Sequence, residues 1–482
     1  MGHDPAVFIR SIGGPHMQVF VNDRDFYRRL REIAVPITLQ GLVNFGVNMV
    51  DTVVMGSLGE VSLSAVSLAN QFCFLFMILN FGLGGGAGVL TGQFWGKGDR
   101  ESIGKTLSIV YKITAALAFL FFIAAQFFPD TVMSLYTRDT VVIAQGSVFL
   151  RVISWSYLLQ GISTISAIVL RTVGIVRLTL VTSAITLANT ILMNWIFVFG
   201  NLGAPRMGTA GSALATSISR LLEFIVIAVY MLRWDKRIQF RLKALLHIDR
   251  AIFADYRKRG LPVLLSDLLL AVGMNIVAAI MGRIGRDFVS AYAIAGVVWQ
   301  LTTVVLMGTS GASAVIIGNT VGERRYGDAQ KYGVTFLAIG VLVGLFAGVI
   351  VFLLKDFAIG FYNVSEDTKG IARDLMSAIA LLAVFSSVQM MLTKGVLRAG
   401  GDTVFLMVAD VLFLWAASVP LGMLAAFKLG WPALLVLLCL KVDEVIKAVW
   451  CTARLFGKKW IRNVTIVRAI GEDTAGGIAD AE

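Results

Sequence analysis

The chain has 482 residues, 57% of them hydrophobic and only 15% charged, with a mean hydropathy of +0.80. A soluble protein carries roughly 25% charged residues, so the composition excludes an ordinary soluble domain and points to a polytopic membrane protein. The net charge of +12 does not mark a nucleic-acid binder, because the basic residues sit in short stretches between apolar runs.

The opening residues 1–16 look unlike the rest of the chain, and His16-Met17 is what a common cloning junction encodes. Two readings stand: an added leader with the native start at Met17, or a natural disordered tail. No cleavable signal peptide is visible. Twelve apolar runs of about 20 residues follow, each long enough to cross a bilayer as a helix. They lie at 34–56, 65–90, 106–128, 146–169, 178–200, 209–232, 261–282, 289–317, 333–354, 374–396, 404–427 and 431–453.

The basic residues orient these spans. Arg24, Arg28, Arg29 and Arg31 precede the first. Lys236, Arg241, Lys243, Arg257 and Lys258 fall in the link after the sixth, and Arg454, Lys458, Lys459 and Arg462 follow the twelfth. Six spans between successive basic segments put all three on the cytoplasmic side, with both termini inside. The loop after span one, "GSLGEVSLS", has no Lys or Arg, as an outside loop should.

The chain repeats itself. Pro36 pairs with Pro262, "MGSLG" at Met55 with "MGRIG" at Met281, and "GQFWG" at Gly92 with "GNTVG" at Gly318, all at an offset of 226. "LRTVG" at Leu170 pairs with "LRAGG" at Leu397 at 227, and Arg220–Glu223 with Lys441–Glu444 at 221. Six spans per copy with the same starting side make parallel repeats, related by an axis along the membrane normal. The expected fold is therefore an all-α polytopic protein of twelve transmembrane helices in two six-helix bundles. The organisation reads as an N-terminal lobe at 17–232, a cytoplasmic linker at 233–260, a C-terminal lobe at 261–453 and a cytoplasmic tail at 454–482.

Span one carries Gln40, Asn44, Asn48 and Asp51, spaced by four, four and three. At helical pitch they fall within about 80° of one another, so one polar stripe runs down an apolar helix. Its amides read either as part of a polar site near the carboxylate or as links that only join helices. An intramembrane carboxylate is a functional candidate, able to exchange a proton or to bind Na⁺. Span five holds Thr190 and Asn194, four apart on one face, whose oxygens suit a hard cation or a proton relay beside such an acid.

The twelve-span plan, the segment "VDTVVMGSLGEVSLSAVSLANQ", the motifs "LRTVG" and "LRAGGDT" and the repeat together resemble the multidrug and toxic-compound extrusion (MATE) family. The resemblance covers about residues 24–465. It implies a plasma-membrane efflux antiporter that exchanges organic, often cationic and amphiphilic, compounds for H⁺ or Na⁺ by rocking between two V-shaped states. The family's span-one aspartate matches Asp51. Its span-five pair, Asn followed by Asp or Asn, falls on Thr190 and Asn194, so Thr190 departs from the pattern, with Asn189 one place off. The segment around Gly208 to Ser212 is a candidate to complete that site. In some members a C-lobe aspartate stands three residues before the Gln of span ten. Here that place is Ser386, before Gln389, so the chain is similar to the branch that relies on the N-lobe.

The second copy has other acids. Asp267 lies five residues after Pro262, with Asn275 two turns on along the same face. It reads either as a cation or drug contact or as a helix-end acid paired with a base. Asp410 in span eleven either pairs with Arg398 or lines a C-lobe cavity, with Gln389 a further lining candidate. Arg220–Glu223, Lys441–Glu444 and Asp443–Lys447 read as intrahelical pairs. With few deep bases beyond Lys394 and Lys441, the spans favour a cationic cargo over the main alternative, a flippase or exporter of lipid-linked saccharides or another metabolite.

The glycines of residues 80–88 lack the Lys-Ser/Thr of a nucleotide cradle and read as a close-packing segment. No ATP motif and no catalytic constellation is present, so no enzyme is expected and energy should come from an ion gradient. Neither a cofactor nor a metal site beyond Na⁺ is expected. The three cysteines (Cys73, Cys439, Cys451) and three histidines (His3, His16, His247) form no ligand spacing. The expected partners are small drug-like molecules and membrane lipids, no nucleic acid, and the chain is expected to act as a monomer. The orientation predicts that Glu60→Cys reacts with a membrane-impermeant maleimide on intact cells, whereas Lys236→Cys reacts only after permeabilisation. The reverse labelling pattern would invert the topology.

Overall fold

A computed structural model describes residues 19–362 and 364–465, so the expected leader at 1–16 and the tail beyond 465 lie outside the described residues. Among the described residues the protein is helical, with no strand. Among these residues eleven helices are long and apolar enough to cross a membrane. They are α1 Arg24–Ser57, α2 Glu60–Lys97, α3 Arg100–Phe127, α4 Thr140–Thr172, α5 Arg177–Phe197, α6 Thr209–Trp234, α7 Arg250–Ile284, α8 Arg286–Gly322, α9 Tyr326–Gly360, α10 Glu366–Ala399 and α11 Thr403–Lys428. Most run well past the apolar stretches read from the sequence. Hydropathy registers only the part inside hydrocarbon, and at 1.5 Å per residue a helix of 34 to 38 residues exceeds a core of about 30 Å. The link after α6 is correspondingly shorter, because α7 starts at Arg250, ahead of its apolar run. Acids cap the polar ends: Asp99 accepts from the Ser102 amide, Asp139 from those of Val141 and Val142, and Asp249 from those of Ala251 and Ile252.

The twelfth run is not one helix. It divides into α12, Ala433–Leu440, and α13, Val442–Phe456, with Lys441 out of helical geometry between them. A break at membrane depth survives only where the freed backbone groups find partners. Here the Ser418 hydroxyl of α11 accepts from the Asp443 amide at 2.8 Å and donates to its carboxylate at 2.7 Å. Wide π-type turns at Met391–Val396 in α10 and Leu414–Ser418 in α11 face the same region.

The two halves meet through α1 and α2 of the first and α7 and α8 of the second. The contact is reciprocal about the repeat axis. A Cβ on Gly96 would stand 2.0 Å from the Asn319 carbonyl oxygen, and one on its repeat mate Gly322 would stand 2.1 Å from that of Gln93, itself the mate of Asn319. The Gln93 amide donates to the Ala399 carbonyl at 3.0 Å. Asn319, with its amide set in the hydrogen-bonding orientation, donates to the carbonyl of Thr172, the mate of Ala399, at 3.2 Å. The glycine run at 80–88 closes the same seam, since a Cβ on Gly86 would stand 2.5 Å from the Gly260 Cα. After α13 the chain returns as a strap: the Val464 amide donates to Gln93 at 2.8 Å, Asn463 to the Val321 carbonyl at 3.0 Å and the Arg462 amide to the Gly400 carbonyl at 2.7 Å. The seam therefore lies at the Lys/Arg-rich ends of the helices.

Because the close approach is backbone to backbone, no rotamer change can relieve an added side chain there. Gly96→Ala should destabilise by about 2 kcal/mol. Gly104→Ala, where a Cβ meets nothing within 4 Å, should be neutral or stabilising by about 0.5 kcal/mol. Thermal unfolding of the two purified variants checks the contrast.

Candidate functional site

The polar groups separate into a site in the first half, a cluster in the second and a cavity between them. In the first half α1 and α5 bring Asp51 and Asn194 together, with the Asn194 amide donating to the carboxylate at 3.0 Å. The Asn194 carbonyl oxygen is buried and has no hydrogen-bond partner among the described residues. An acid oxygen and an orphaned amide oxygen on one contact form an oxygen-rich pair suited to a proton or a hard cation. The Arg220 guanidinium, on α6, is near enough to act on Asp51 electrostatically while bonding Glu223 at 2.9 Å. Thr190 does not reach Asp51. Its hydroxyl and the Asn189 amide both meet Ser219 of α6, at 2.9 and 2.8 Å, one helical turn from Asn194. The segment from Gly208 to Ser212 makes no bond to Asp51 either, and Gly211 packs on the Phe197 carbonyl. Among the described residues no group of three or more His, Cys, Asp or Glu is arranged to hold a metal.

The polar stripe of α1 does not act as one unit. Gln40 lies 11 residues from Asp51, about 16 Å along the helix. It is buried, donates to Ser183 at 3.0 Å and accepts from Arg171 at 2.7 Å. Asn44 and Asn48 are exposed. A shared helical face therefore does not make a shared site, because different neighbours meet it at different depths.

In the second half Asp267 is ion-paired with Lys394 at 2.6 Å and with Arg398 at 3.0 Å, which favours the paired reading over a free cation contact. Arg398 is thus taken, so of the two readings of Asp410 the pair with Arg398 does not form and the cavity-lining one does. Asp410 instead accepts from Ser266 at 2.6 Å, with Lys447 at 3.5 Å and Lys394 at 3.9 Å. The Ser266–Asp410 contact is the repeat mate of Gln40–Ser183. Asn275 is exposed and donates to its own helix at Ala271. Gln389 accepts from Thr393 at 2.8 Å.

Gln389 and Asp410 line a cavity of about 270 Å³ with Ser386, Glu444, Lys441 and Lys447. The Ser386 hydroxyl donates to Glu444, so an acid absent from α10 is supplied from α13. Asp443–Lys447 forms within α13 at 2.8 Å, whereas Lys441–Glu444 at 2.9 Å ties the helix break to α13, and both pairs face this cavity. Bases inside the bundles are more numerous than expected, since buried Lys447 and half-buried Arg398 and Arg171 join Lys394 and Lys441. Hydropathy along a span registers neither the helix break at Lys441 nor the depth of the "LR" motifs. The repeat mates of Asp51 and Asn194 are Val277 and Leu421, so the carboxylate–amide pair is confined to the first half.

Comparison with known proteins agrees with this architecture. The MatE family model matches residues 36–196 and 262–424, two segments that begin at the paired prolines Pro36 and Pro262. The chain is 26% identical over 420 residues to a probable multidrug resistance protein NorM from Mesorhizobium japonicum, covering 85% of this chain and 89% of the relative. Among solved structures it superposes on a MOP superfamily transporter from Pyrococcus furiosus with a TM-score of 0.82 at 18% identity, covering 92% and 99% of the two chains. It also superposes on a multidrug resistance MATE family transporter in an outward-facing conformation, with a TM-score of 0.81 at 18% identity, covering 89% and 96%. The MatE match spans both repeats and the two-bundle fold is shared, and on this basis the chain, a multi-pass membrane protein, belongs to the MatE family.

Proposed function

We propose that the protein is a secondary antiporter that expels organic compounds from the cell in exchange for H⁺ or Na⁺. The observation that carries this reading is the Asp51–Asn194 contact, with its unpartnered amide oxygen, in an apolar bundle. The names of the multidrug resistance relatives support the cargo class.

With the Lys/Arg-rich ends inside, the seam of paired glycines closes the cytoplasmic side and Asp51 faces the outer half. A cation entering from outside binds the Asp51 carboxylate and the Asn194 carbonyl oxygen, and the acid is neutralised. Its hydrogen bond to Asn194 then weakens, and α1 repacks against α5 and α6. Ser219, held by Thr190 and Asn189, and the Arg220–Glu223 pair are the next groups in that path. Drug and cation need only prefer opposite states of the two halves for exchange to follow. Exposed Met49 and Met274 offer adaptable apolar contacts to varied ligands, whereas Met55 is fully buried in the core.

A second reading, export of a compound with an anionic headgroup on the same fold, draws on the cavity-lining bases Arg171, Lys394 and Lys447. Ethidium efflux from cells under separately imposed pH and Na⁺ gradients distinguishes the two. Under the antiporter reading only one gradient drives efflux. Asp51→Asn lowers it at least about tenfold, and Thr190→Ala lowers it by about threefold or less. Unchanged efflux in Asp51→Asn would remove the Asp51 mechanism. Absence of cation efflux by the wild type would favour the second reading.

A further inference from the structure

Between the two halves, just inside the seam, lies a cavity of about 150 Å³. Its walls include Arg171 of α4, Lys394 and Arg398 of α10 and the glycines Gly85 and Gly88 of α2, and among the described residues no carboxylate lines it. Arg171 and Arg398 are repeat mates, from "LRTVG" and "LRAGG", so the pseudo-two-fold axis turns both guanidinium groups toward one space.

Their compensation is not symmetric. Arg398 has Asp267, at 3.0 and 3.2 Å, and shares it with Lys394. The repeat mate of Asp267 is Gly41, so the first half offers no acid in that place. Arg171 is left with the amide oxygen of Gln40 at 2.7 Å. Glu223, an acid of the first half, is bonded to Arg220 at 2.9 Å. The Nε atoms of both Arg171 and Arg398 are buried with no hydrogen-bond partner. Asp410, the other acid near Lys394, is 3.9 Å from it and is held by Ser266 and Lys447. Three cations therefore line the cavity: Asp267 compensates Arg398 and Lys394, Asp410 is a second acid beside Lys394, and Arg171 is met by an amide oxygen in place of a carboxylate. Uncompensated buried charge is costly, and a guanidinium with a free Nε edge presents the fork that an oxyanion fits.

We propose that this cavity is an anion-binding site that takes a carboxylate or phosphate group on the repeat axis between the halves. Its walls come from both halves, so it is complete only while the seam is closed, and an anion bound there favours that state. The anion is either a free ion or the acidic group of a transported amphiphile. The proposal goes beyond the antiporter reading and does not depend on Asp51.

Binding of three probes to the purified full chain in detergent tests it. Inorganic phosphate represents the free ion, norfloxacin carries a carboxylate, and ethidium is a cation with no acid. In the wild type phosphate, norfloxacin or both bind saturably. Arg171→Gln weakens that binding at least about tenfold, Arg171→Lys, which keeps the charge but loses the fork, restores only part of it, and ethidium binding is unchanged in both. Asp51→Asn leaves anion binding intact. Phosphate binding alone assigns the site to a free ion, and norfloxacin binding that phosphate displaces assigns it to the acidic group of a cargo. Gly88→Asp serves as a second variant, because a Cβ there meets Ile168 and Thr172 only at ordinary contact distances of 3.5 and 3.8 Å. Its built-in carboxylate should abolish anion binding while the protein melts no lower than the wild type. The proposal is overturned if the wild type binds neither anionic probe, if Arg171→Gln binds them as well as the wild type does, or if Gly88→Asp melts lower.

Discussion

Two glycine-bearing helix ends, one from each copy of a duplicated chain, press together with no side chain between them. Gly96 against the Asn319 carbonyl and Gly322 against that of Gln93 form one contact made twice. Gln93–Ala399 and Asn319–Thr172 repeat the same reciprocity in hydrogen bonds. In a bilayer, helices gain little hydrophobic energy by leaving lipid for one another, so such close packing with satisfied polar groups is what holds the bundles together. The seam sets where the bundles are joined, and every polar site takes its depth and its neighbours from it.

On that symmetric frame the chemistry has diverged. Gln40–Ser183 in one half and Ser266–Asp410 in the other keep a matching contact. Asp51 and Asn194 correspond to Val277 and Leu421, and Asp267 corresponds to Gly41. Each half therefore lacks an acid that the other holds. The first half keeps a carboxylate with an amide and no direct base. The second keeps acids that are each tied to a lysine or arginine. A lone acid can change its charge at modest cost, whereas an acid in a tight ion pair leaves its partner unpaired if it does so. The division of labour between the halves follows from this difference.

Much of this was legible in the sequence. The twelve apolar runs, the offset of 226 and the intramembrane Asp51 needed only hydropathy and spacing, and Asn194 was placed beside Asp51 through the family pattern. The break at Lys441 was not legible, because Ser418 on the preceding helix supplies the partner that makes it tolerable. Thr190 read as a site residue because it shares a face with Asn194, yet its hydroxyl meets Ser219 on α6. Gln40 joined the stripe by helical pitch and left it through Arg171, a partner 131 residues away. Periodicity reports which face of a helix a residue occupies, and only packing decides which helix that face meets.

The most direct test of the account is whether cation uptake at Asp51 moves the halves. Ser57 and Arg283 are repeat mates, both exposed near the far ends of α1 and α7. After replacement of the three free cysteines, spin labels at these two positions report the opening between the halves. The account predicts that acidification or added Na⁺ shifts the label distance in the wild-type background and leaves it unchanged in Asp51→Asn. A shift of equal size in Asp51→Asn, or no response to either cation in the wild-type background, would contradict it.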